Sequence, residues 1–137
     1  ERDLGVEYRD LGPLLAESDV VSLHTPLTPE TERMIDEQAL RKMKSTAVLV
    51  NTARAALIDE ESVARALQEG RLRGYATDVF EPEPPHPDSP MLHAPNAVLS
   101  PHMGGVTVES LLRIVQAALE NCKRVADGHE PIDIVSE

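Results

Sequence analysis

Aromatic residues are nearly absent from this 137-residue sequence, which has two Tyr, one Phe and no Trp, so its core is expected to be aliphatic. The single cysteine, Cys122, excludes an internal disulfide and a cysteine metal cage. No apolar run approaches the roughly 20 residues that cross a bilayer. No basic and then apolar leader opens the sequence. We therefore expect a cytoplasmic protein with no membrane partner.

Cations are also scarce: 13 Lys and Arg stand against 24 Asp and Glu, which gives a formal net charge of −11. Nucleic acids and anionic membranes recruit clustered basic residues, so this balance argues against both as partners. The sequence is 41% hydrophobic and 27% charged, which is typical of a globular fold and not of a disordered acidic tail. Its length suits one domain at most.

Short aliphatic and β-branched runs alternate with segments of helical period, a pattern that predicts an α/β fold with a parallel sheet. Some of these runs are almost continuously apolar, which favours strands covered on both faces, as in a doubly wound sheet. The predicted strands are residues 6–8, 20–24, 47–51, 74–79 and 97–99, and the predicted shorter helices are residues 11–16, 36–43 and 59–69.

The last predicted helix starts after Thr107, which can cap it, and ends before Gly128. Its apolar residues follow helical spacing, and Cys122 belongs to that set, so we expect this cysteine on a buried stripe. Asp36 and Asp59 are predicted to cap the second and third helices. Between Phe80 and His102 the sequence has seven prolines, which exclude a helix and predict a stiff, extended functional loop with one short strand inside it.

Polar residues follow four consecutive predicted strands, where ligands bind in open parallel sheets. Arg54 offers a fixed charge and a fork of donors for a carboxylate, or else an ion pair with a nearby acid. His102 suits proton transfer near neutral pH, or else a structural hydrogen bond. Glu83 can hold the other imidazole nitrogen of His102, or else is one more solvated acid. The histidines show no metal-ligand spacing, so we expect no metal site.

Four ordered motifs carry a family resemblance. They are SDVVSLHTPL at residues 18–27, LVNTAR at residues 49–54, DVFEPEP at residues 78–84 and SPHMGGVT at residues 100–107. The stretch from Ser18 to Ile132 resembles the later part of the NAD-binding domain of D-isomer-specific 2-hydroxyacid dehydrogenases, which include D-3-phosphoglycerate and glyoxylate/hydroxypyruvate enzymes. The resemblance implies a Rossmann-like fold, an oxidoreductase activity, a small 2-hydroxy or 2-keto acid substrate and a homodimer.

The resemblance also implies residue roles. Arg54 matches the arginine that binds the substrate's carboxylate and carbonyl, Glu83 the acid paired with histidine, and His102 the general acid/base. Asp78 matches the aspartate at the nicotinamide end of NAD. The implied cofactor contacts are His24, Thr25, Pro26, Thr52, Ala53, Arg54, Asp78, His102, Gly104 and Gly105.

Two departures from the family pattern are visible. Ala55 stands where the family usually has glycine, and no Gly-x-Gly-x-x-Gly turn for the pyrophosphate occurs in the sequence. We therefore expect residues 1–137 to be the C-terminal part of an NAD-binding domain, without the first βαβ half and with the substrate-binding domain largely absent. The residue that selects between NAD and NADP is expected before Glu1, so this choice stays open.

Two functions from different classes fit the motifs. The first is an NAD-dependent D-2-hydroxyacid dehydrogenase, in which these residues alone are expected to be inactive without the pyrophosphate turn. The alternative is a cofactor-sensing scaffold of the kind found in the corepressors called C-terminal binding proteins, which keep the same three residues. Turnover by the full-length protein separates the two.

Overall fold

The computed structural model describes residues 4–134, and they contain a four-stranded parallel sheet. Its strands lie in the order β1-β2-β3-β4, and each pairs in parallel with the next. The strands are β1 Val20–Leu23, β2 Val48–Asn51, β3 Gly74–Thr77 and β4 Ala97–Leu99. The predicted α/β class and four of the five predicted strands are confirmed. The predicted strand at residues 6–8 is wrong, because these residues pair with no strand and their side chains are exposed.

Three α-helices precede the last strand, and two of them begin at the aspartates predicted to cap them. They are α1 Leu11–Glu17, α2 Glu37–Lys42 and α3 Glu60–Gln68. The Asp36 carboxylate accepts the Ala39 N–H, and the Asp59 carboxylate accepts the Ser62 N–H, each at 2.8 Å. These bonds satisfy donors that have no partner inside the helix.

The core lies on one face of the sheet. Residues of α1, α2 and α3 pack in one apolar cluster with alternate strand residues, among them Val21, Leu49 and Tyr75. The intervening residues point to the opposite face, where Val20 and Val98 are 62% and 70% exposed. Helices α1, α2 and α3 thus cover one face. On the opposite face the outward residues of β2 and β3 are partly buried, and exposure is confined to the edge strands.

The proline-rich segment between β3 and β4 is less extended than predicted, with bends at residues 81–84 and turns at residues 87–88 and 95–96. Residues Pro90–His93 form a short 3-10 helix, which the prolines were expected to prevent. Pro90 lies in its first turn, where a missing N–H costs nothing, and the Ser89 side chain caps the turn.

The chain divides into two compact units, residues 1–102 and 103–137, and the second contains α4 Val108–Ala126. Thr107 and Ser110 form a reciprocal capping box at its start, as the sequence predicts for Thr107. No side chain of α4 is buried, and Cys122 is exposed, so its predicted burial is wrong. Apolar periodicity predicts the helix correctly, but burial also needs a covering surface. Among residues 4–134, no helix is both long and apolar enough to cross a membrane.

Candidate active site

The candidate site lies at the carboxyl edge of the parallel sheet, where polar residues follow each strand. Asn51 and Thr77 end β2 and β3, and Asp78 follows directly; all three are buried. Buried polar side chains are costly unless they are hydrogen-bonded. Each of them makes hydrogen bonds here, so this edge is a built polar layer and not a frayed end of the sheet.

His102 and Glu83 form a direct pair, as the sequence predicts. The imidazole Nδ1 lies 2.9 Å from Glu83 Oε2 and 3.1 Å from Oε1. The Phe80 N–H donates to Oε1 at 3.0 Å, which fixes the carboxylate from the side of the loop. Both side chains are about half exposed. Because Glu83 contacts His102 directly, it is a paired acid and not merely a solvated one.

The electrostatics of this pair favour an ionised Glu83. The hydrogen bond to His102, and after it the hydrogen bond from the Phe80 N–H, lowers the pKa of Glu83 from its ordinary value of 4.5. A negative carboxylate that accepts the Nδ1–H of an imidazole sets its tautomer, so Nε2 is the nitrogen left for a reacting group.

The backbone of His102 is in the left-handed region, with φ of 54°. A residue with a Cβ reaches this region only at some cost, and such residues concentrate at functional sites. The His102 N–H donates to the Ser100 carbonyl at 3.1 Å, which helps to hold the bend. The bend turns the chain at the end of β4 and presents the imidazole to Glu83.

Arg54 lies just after β2 and is exposed. Its Nη1 donates to the Ala53 carbonyl at 2.6 Å. The acids that follow it in the sequence have other partners. Asp59 caps α3 and lies 3.8 Å from Arg33 Nη1, and Glu60 accepts the Ser89 hydroxyl. The guanidinium is thus held by one hydrogen bond to the main chain, which leaves its other N–H donors for a ligand.

Arg54, Glu83 and His102 line one cavity of about 240 Å³, to which the loop after β1 contributes Leu27. The structure therefore brings the three predicted catalytic side chains to one place. Ala55 also lines it and begins the 3-10 helix Ala55–Leu57. Its backbone is outside the left-handed region, so the position tolerates a residue other than glycine.

The predicted cofactor residues lie in several separate loops. Thr52 and Ala53 belong to the turn that carries Arg54, and the Asp78 carboxylate accepts the Ser100 hydroxyl at 2.5 Å. In the loop after β1, His24 Nε2 lies 2.8 Å from Ser22 Oγ, Thr25 Oγ1 contacts Met34 Sδ at 3.8 Å, and the Pro26 carbonyl accepts the Thr31 hydroxyl.

Gly104 and Gly105 lie in the second unit, where the Gly105 carbonyl accepts the Ser110 hydroxyl at 2.7 Å. Their assignment to the cofactor stays a prediction. In the part of the chain that the structure describes, no group of three His, Cys, Asp or Glu side chains is placed to hold a metal ion.

Sequence reasoning missed three supporting contacts: the Phe80 N–H on Glu83, the Ser100 hydroxyl on Asp78, and the amide of Asn51 on the turn that carries Arg54. The last had a signal in the sequence. An asparagine at a strand end commonly hydrogen-bonds the backbone two or three residues on.

Comparison with known proteins identifies the family of the chain. Residues 1–104 match the family model described as D-isomer specific 2-hydroxyacid dehydrogenase, NAD binding domain. A glyoxylate reductase of Aeropyrum pernix is 46% identical over 136 residues, which are 99% of this chain and 41% of the relative. The chain thus spans about two fifths of that relative's length.

Solved structures resemble the chain in the same way. A formate dehydrogenase from Granulicella superposes with a TM-score of 0.92 at 34% identity, covering 98% of this chain and 37% of the other. A D-isomer specific 2-hydroxyacid dehydrogenase from Lactobacillus delbrueckii, in its NAD complexed form, gives 0.81 at 35% identity, covering 97% and 44%. With a family model matched over most of its length, the chain belongs to the D-isomer specific 2-hydroxyacid dehydrogenases and carries sequence of their NAD-binding domain.

Proposed function

We propose that the full-length protein interconverts a small 2-keto acid and the corresponding D-2-hydroxy acid, and that Arg54, Glu83 and His102 carry the reaction. The observation that supports this most is their convergence on one cavity, with the imidazole already hydrogen-bonded to the carboxylate. Relatives named glyoxylate reductase support a small substrate such as glyoxylate. The fold alone does not select the substrate, since a formate dehydrogenase has the same fold.

The residues at the sheet edge fit the nicotinamide end of NAD or NADP. Asp78 is 6% exposed at a strand end, its carboxylate is fixed by Ser100, and an ionised carboxylate accepts hydrogen bonds from an amide. The cofactor would be held by Asp78, the turn at Thr52 and Ala53, the loop from His24 to Pro26, Arg54 and the backbone of His102. The family resemblance also assigns backbone contacts to Gly104 and Gly105. A bound nicotinamide cofactor would supply the hydride chemistry at C2 of the substrate.

His102 supplies the proton in this proposal. Glu83 holds Nδ1–H, so Nε2 faces the substrate oxygen, to which it gives a proton during reduction and from which it takes one during oxidation. The paired carboxylate stabilises the positive charge on the imidazole between these events.

Arg54 binds the substrate through charge. A guanidinium forms two parallel hydrogen bonds with a carboxylate and holds a planar acid in one orientation. Its remaining donors offset the negative charge that develops on the carbonyl oxygen. Arg54 thus supplies a positive group for an anionic substrate in a cavity that Glu81 and Glu83 also line, in a chain whose net charge is −11.

The family resemblance further favours a homodimer, and residues 1–137 as the C-terminal part of the NAD-binding domain. The single cysteine suits a cytoplasmic location. Light scattering on the full-length protein checks the oligomeric state.

The main test measures NADH oxidation by the full-length protein with glyoxylate and with hydroxypyruvate. His102→Ala is expected to lower kcat by about 10²- to 10⁴-fold, the usual contribution of general acid/base catalysis, and to leave NADH binding intact. His129→Ala is a matched control, because this histidine is also exposed but lies in the second unit. Residues 1–137 alone are expected to show no turnover.

The outcomes separate the two functional classes. NADH binding by the full-length protein without turnover of any 2-keto acid supports the scaffold function instead. Turnover that survives His102→Ala contradicts the assigned proton donor.

A further inference from the structure

Asn51 is buried to 0% exposure, yet sits within three residues of the exposed Arg54. Its side chain uses both ends of its amide. Oδ1 accepts the Ala53 N–H at 3.1 Å, and Nδ2 donates to the Arg54 carbonyl at 2.9 Å. The two bonds fix the orientation of the amide, since an N–H requires the oxygen and a carbonyl requires the NH₂.

The main chain of Asn51 connects the same turn to the neighbouring strand. Its carbonyl accepts the Asp78 N–H at 3.2 Å and the Thr77 hydroxyl at 2.9 Å. One residue is therefore bonded to the turn that presents Arg54 and to the strand end that presents Asp78.

We propose that Asn51 is a positioning residue for Arg54: its buried amide closes the turn between β2 and the 3-10 helix Ala55–Leu57, and so fixes where the guanidinium meets the substrate carboxylate. This inference deepens the proposed function and rests on it. Asn51 touches neither substrate nor cofactor. It acts on the backbone from which Arg54 extends.

The physical reason lies in the geometry of the turn. Arg54 is extended, with φ of −144°, and the Ala53 carbonyl that holds its guanidinium belongs to the same turn. Without the amide, the Ala53 N–H loses its partner, and the Arg54 carbonyl keeps only the Leu57 N–H at 3.2 Å. A small displacement of the Arg54 guanidinium weakens binding of the substrate, because its paired hydrogen bonds to a planar carboxylate depend on orientation.

The kinetic test uses the full-length protein with glyoxylate and NADH. Asn51→Ala is expected to raise KM for glyoxylate by about 10- to 100-fold, the range for a reacting group misplaced by about 1 Å, with NADH affinity unchanged. Leu49→Ala is the matched control: Leu49 is equally buried on the same face of the same strand, but its apolar side chain makes no hydrogen bond to the turn. It is expected to lower Tm without raising KM. A KM that stays at the wild-type value in Asn51→Ala overturns the proposal, since a merely structural role lowers the active fraction and leaves KM alone.

A double-mutant cycle shows whether Asn51 acts through Arg54. In an Arg54→Lys background, which already lacks the planar fork, Asn51→Ala is expected to add little. Full additivity overturns the proposal. Wild type and His102→Ala are measured beside these variants. Failure of the proposed dehydrogenase function is recognised separately, because the wild type then shows no turnover.

Amide hydrogen exchange tests the same contact without any activity. In the 137-residue chain, Asn51→Ala is expected to speed exchange of the Ala53 amide by about tenfold, the value of one modest hydrogen bond. Asn51→Asp keeps the Oδ1 acceptor and loses the donor, so it is expected to preserve protection at Ala53. It still raises KM in the enzyme. Unchanged exchange at Ala53 in Asn51→Ala contradicts the inference even if the kinetics agree.

Discussion

The middle and the end of the two central strands bury side chains on the same face for different reasons. In β2, Leu49 and Asn51 are both 0% exposed, and in β3, Tyr75 and Thr77 are 2% and 5% exposed. The first residue of each pair packs in the apolar cluster. The second is polar and is bonded to loop backbone or to the neighbouring strand.

Residues only two positions apart in one strand therefore have different tasks: the apolar one stabilises the fold, and the polar one fixes the geometry of the site. Apolar burial in the middle is favourable through transfer from water and is insensitive to direction. Polar burial at the edge gives a small net gain, because each bond replaces one to water, but it fixes direction and is costly to leave unmade. The middle of the sheet therefore holds the fold together, and its carboxyl edge fixes the loops that carry Arg54 and His102.

Leu49→Ala is expected to have the largest effect on stability, because it removes apolar contacts at the centre of the cluster. Truncations of buried leucines cost about 2–5 kcal/mol, depending on how far the surroundings close in. Unfolding in urea, followed by circular dichroism, measures the change. A loss below about 1 kcal/mol, as at exposed positions, contradicts the assignment of this position to the core.

Thr77→Val tests the edge with little change of volume. The substitution removes the hydroxyl that donates to the Asn51 and Val79 carbonyls and accepts the Val79 N–H at 3.2 Å. Leaving buried polar groups unpaired costs about 1–3 kcal/mol. We expect a smaller shift of the urea midpoint than for Leu49→Ala. Equal or increased stability implies that these bonds contribute nothing at the edge.

The sequence predicts the apolar half of this comparison better than the polar half. The strands and helices follow from periodicity and caps, and Asp36, Asp59 and Thr107 cap helices as expected. Periodicity fails where burial depends on a partner surface. For that reason Cys122 and the outer face of β1 are more exposed than their apolar patterns suggest.

The site is predicted to a similar extent. The pairing of Glu83 with His102 follows from their motifs, although 19 positions separate them. The contacts of Asn51, Ser100 and the Phe80 N–H depend on distances between loops, which residue types alone do not specify. The positive φ of His102 has only a weak signal in its residue type: histidine is enriched in that region, but most histidines lie outside it.

Asp59→Ala extends the comparison to a polar group at a helix start, outside the sheet. Loss of a helix N-cap costs about 1 kcal/mol. The bond from the Ser62 N–H is the main cause that lowers the pKa of Asp59 from 3.8. The carboxylate therefore stabilises the fold above pH 3.8, and this contribution is lost as the pH falls through the lower pKa of the folded state.

In urea titrations across this pH range, the stability difference between Asp59→Ala and wild type is expected to narrow at the acid end, where the charged part of the cap is lost. Asp59→Asn is the matched control, because asparagine caps as well without a charge. Its stability is expected to lie near that of wild type above pH 3.8, with less dependence on pH. A constant difference between Asp59→Ala and wild type at every pH contradicts the charged cap.

Titration of Glu83 is the smallest effect and the most local test of the edge. Its pKa is expected below 4.5 because His102, and then the Phe80 N–H, bonds the ionised form. Removing the imidazole in His102→Ala takes away the larger cause, so the Glu83 pKa is expected to rise. Carbon-detected NMR of the side-chain carboxyl measures both midpoints. His86→Ala, which removes another exposed imidazole in the same loop, controls for the change of net charge. Identical Glu83 midpoints in wild type and His102→Ala mean that the pair does not form in solution. Glu83 then does not set the tautomer of His102, on which the proposed proton transfer depends.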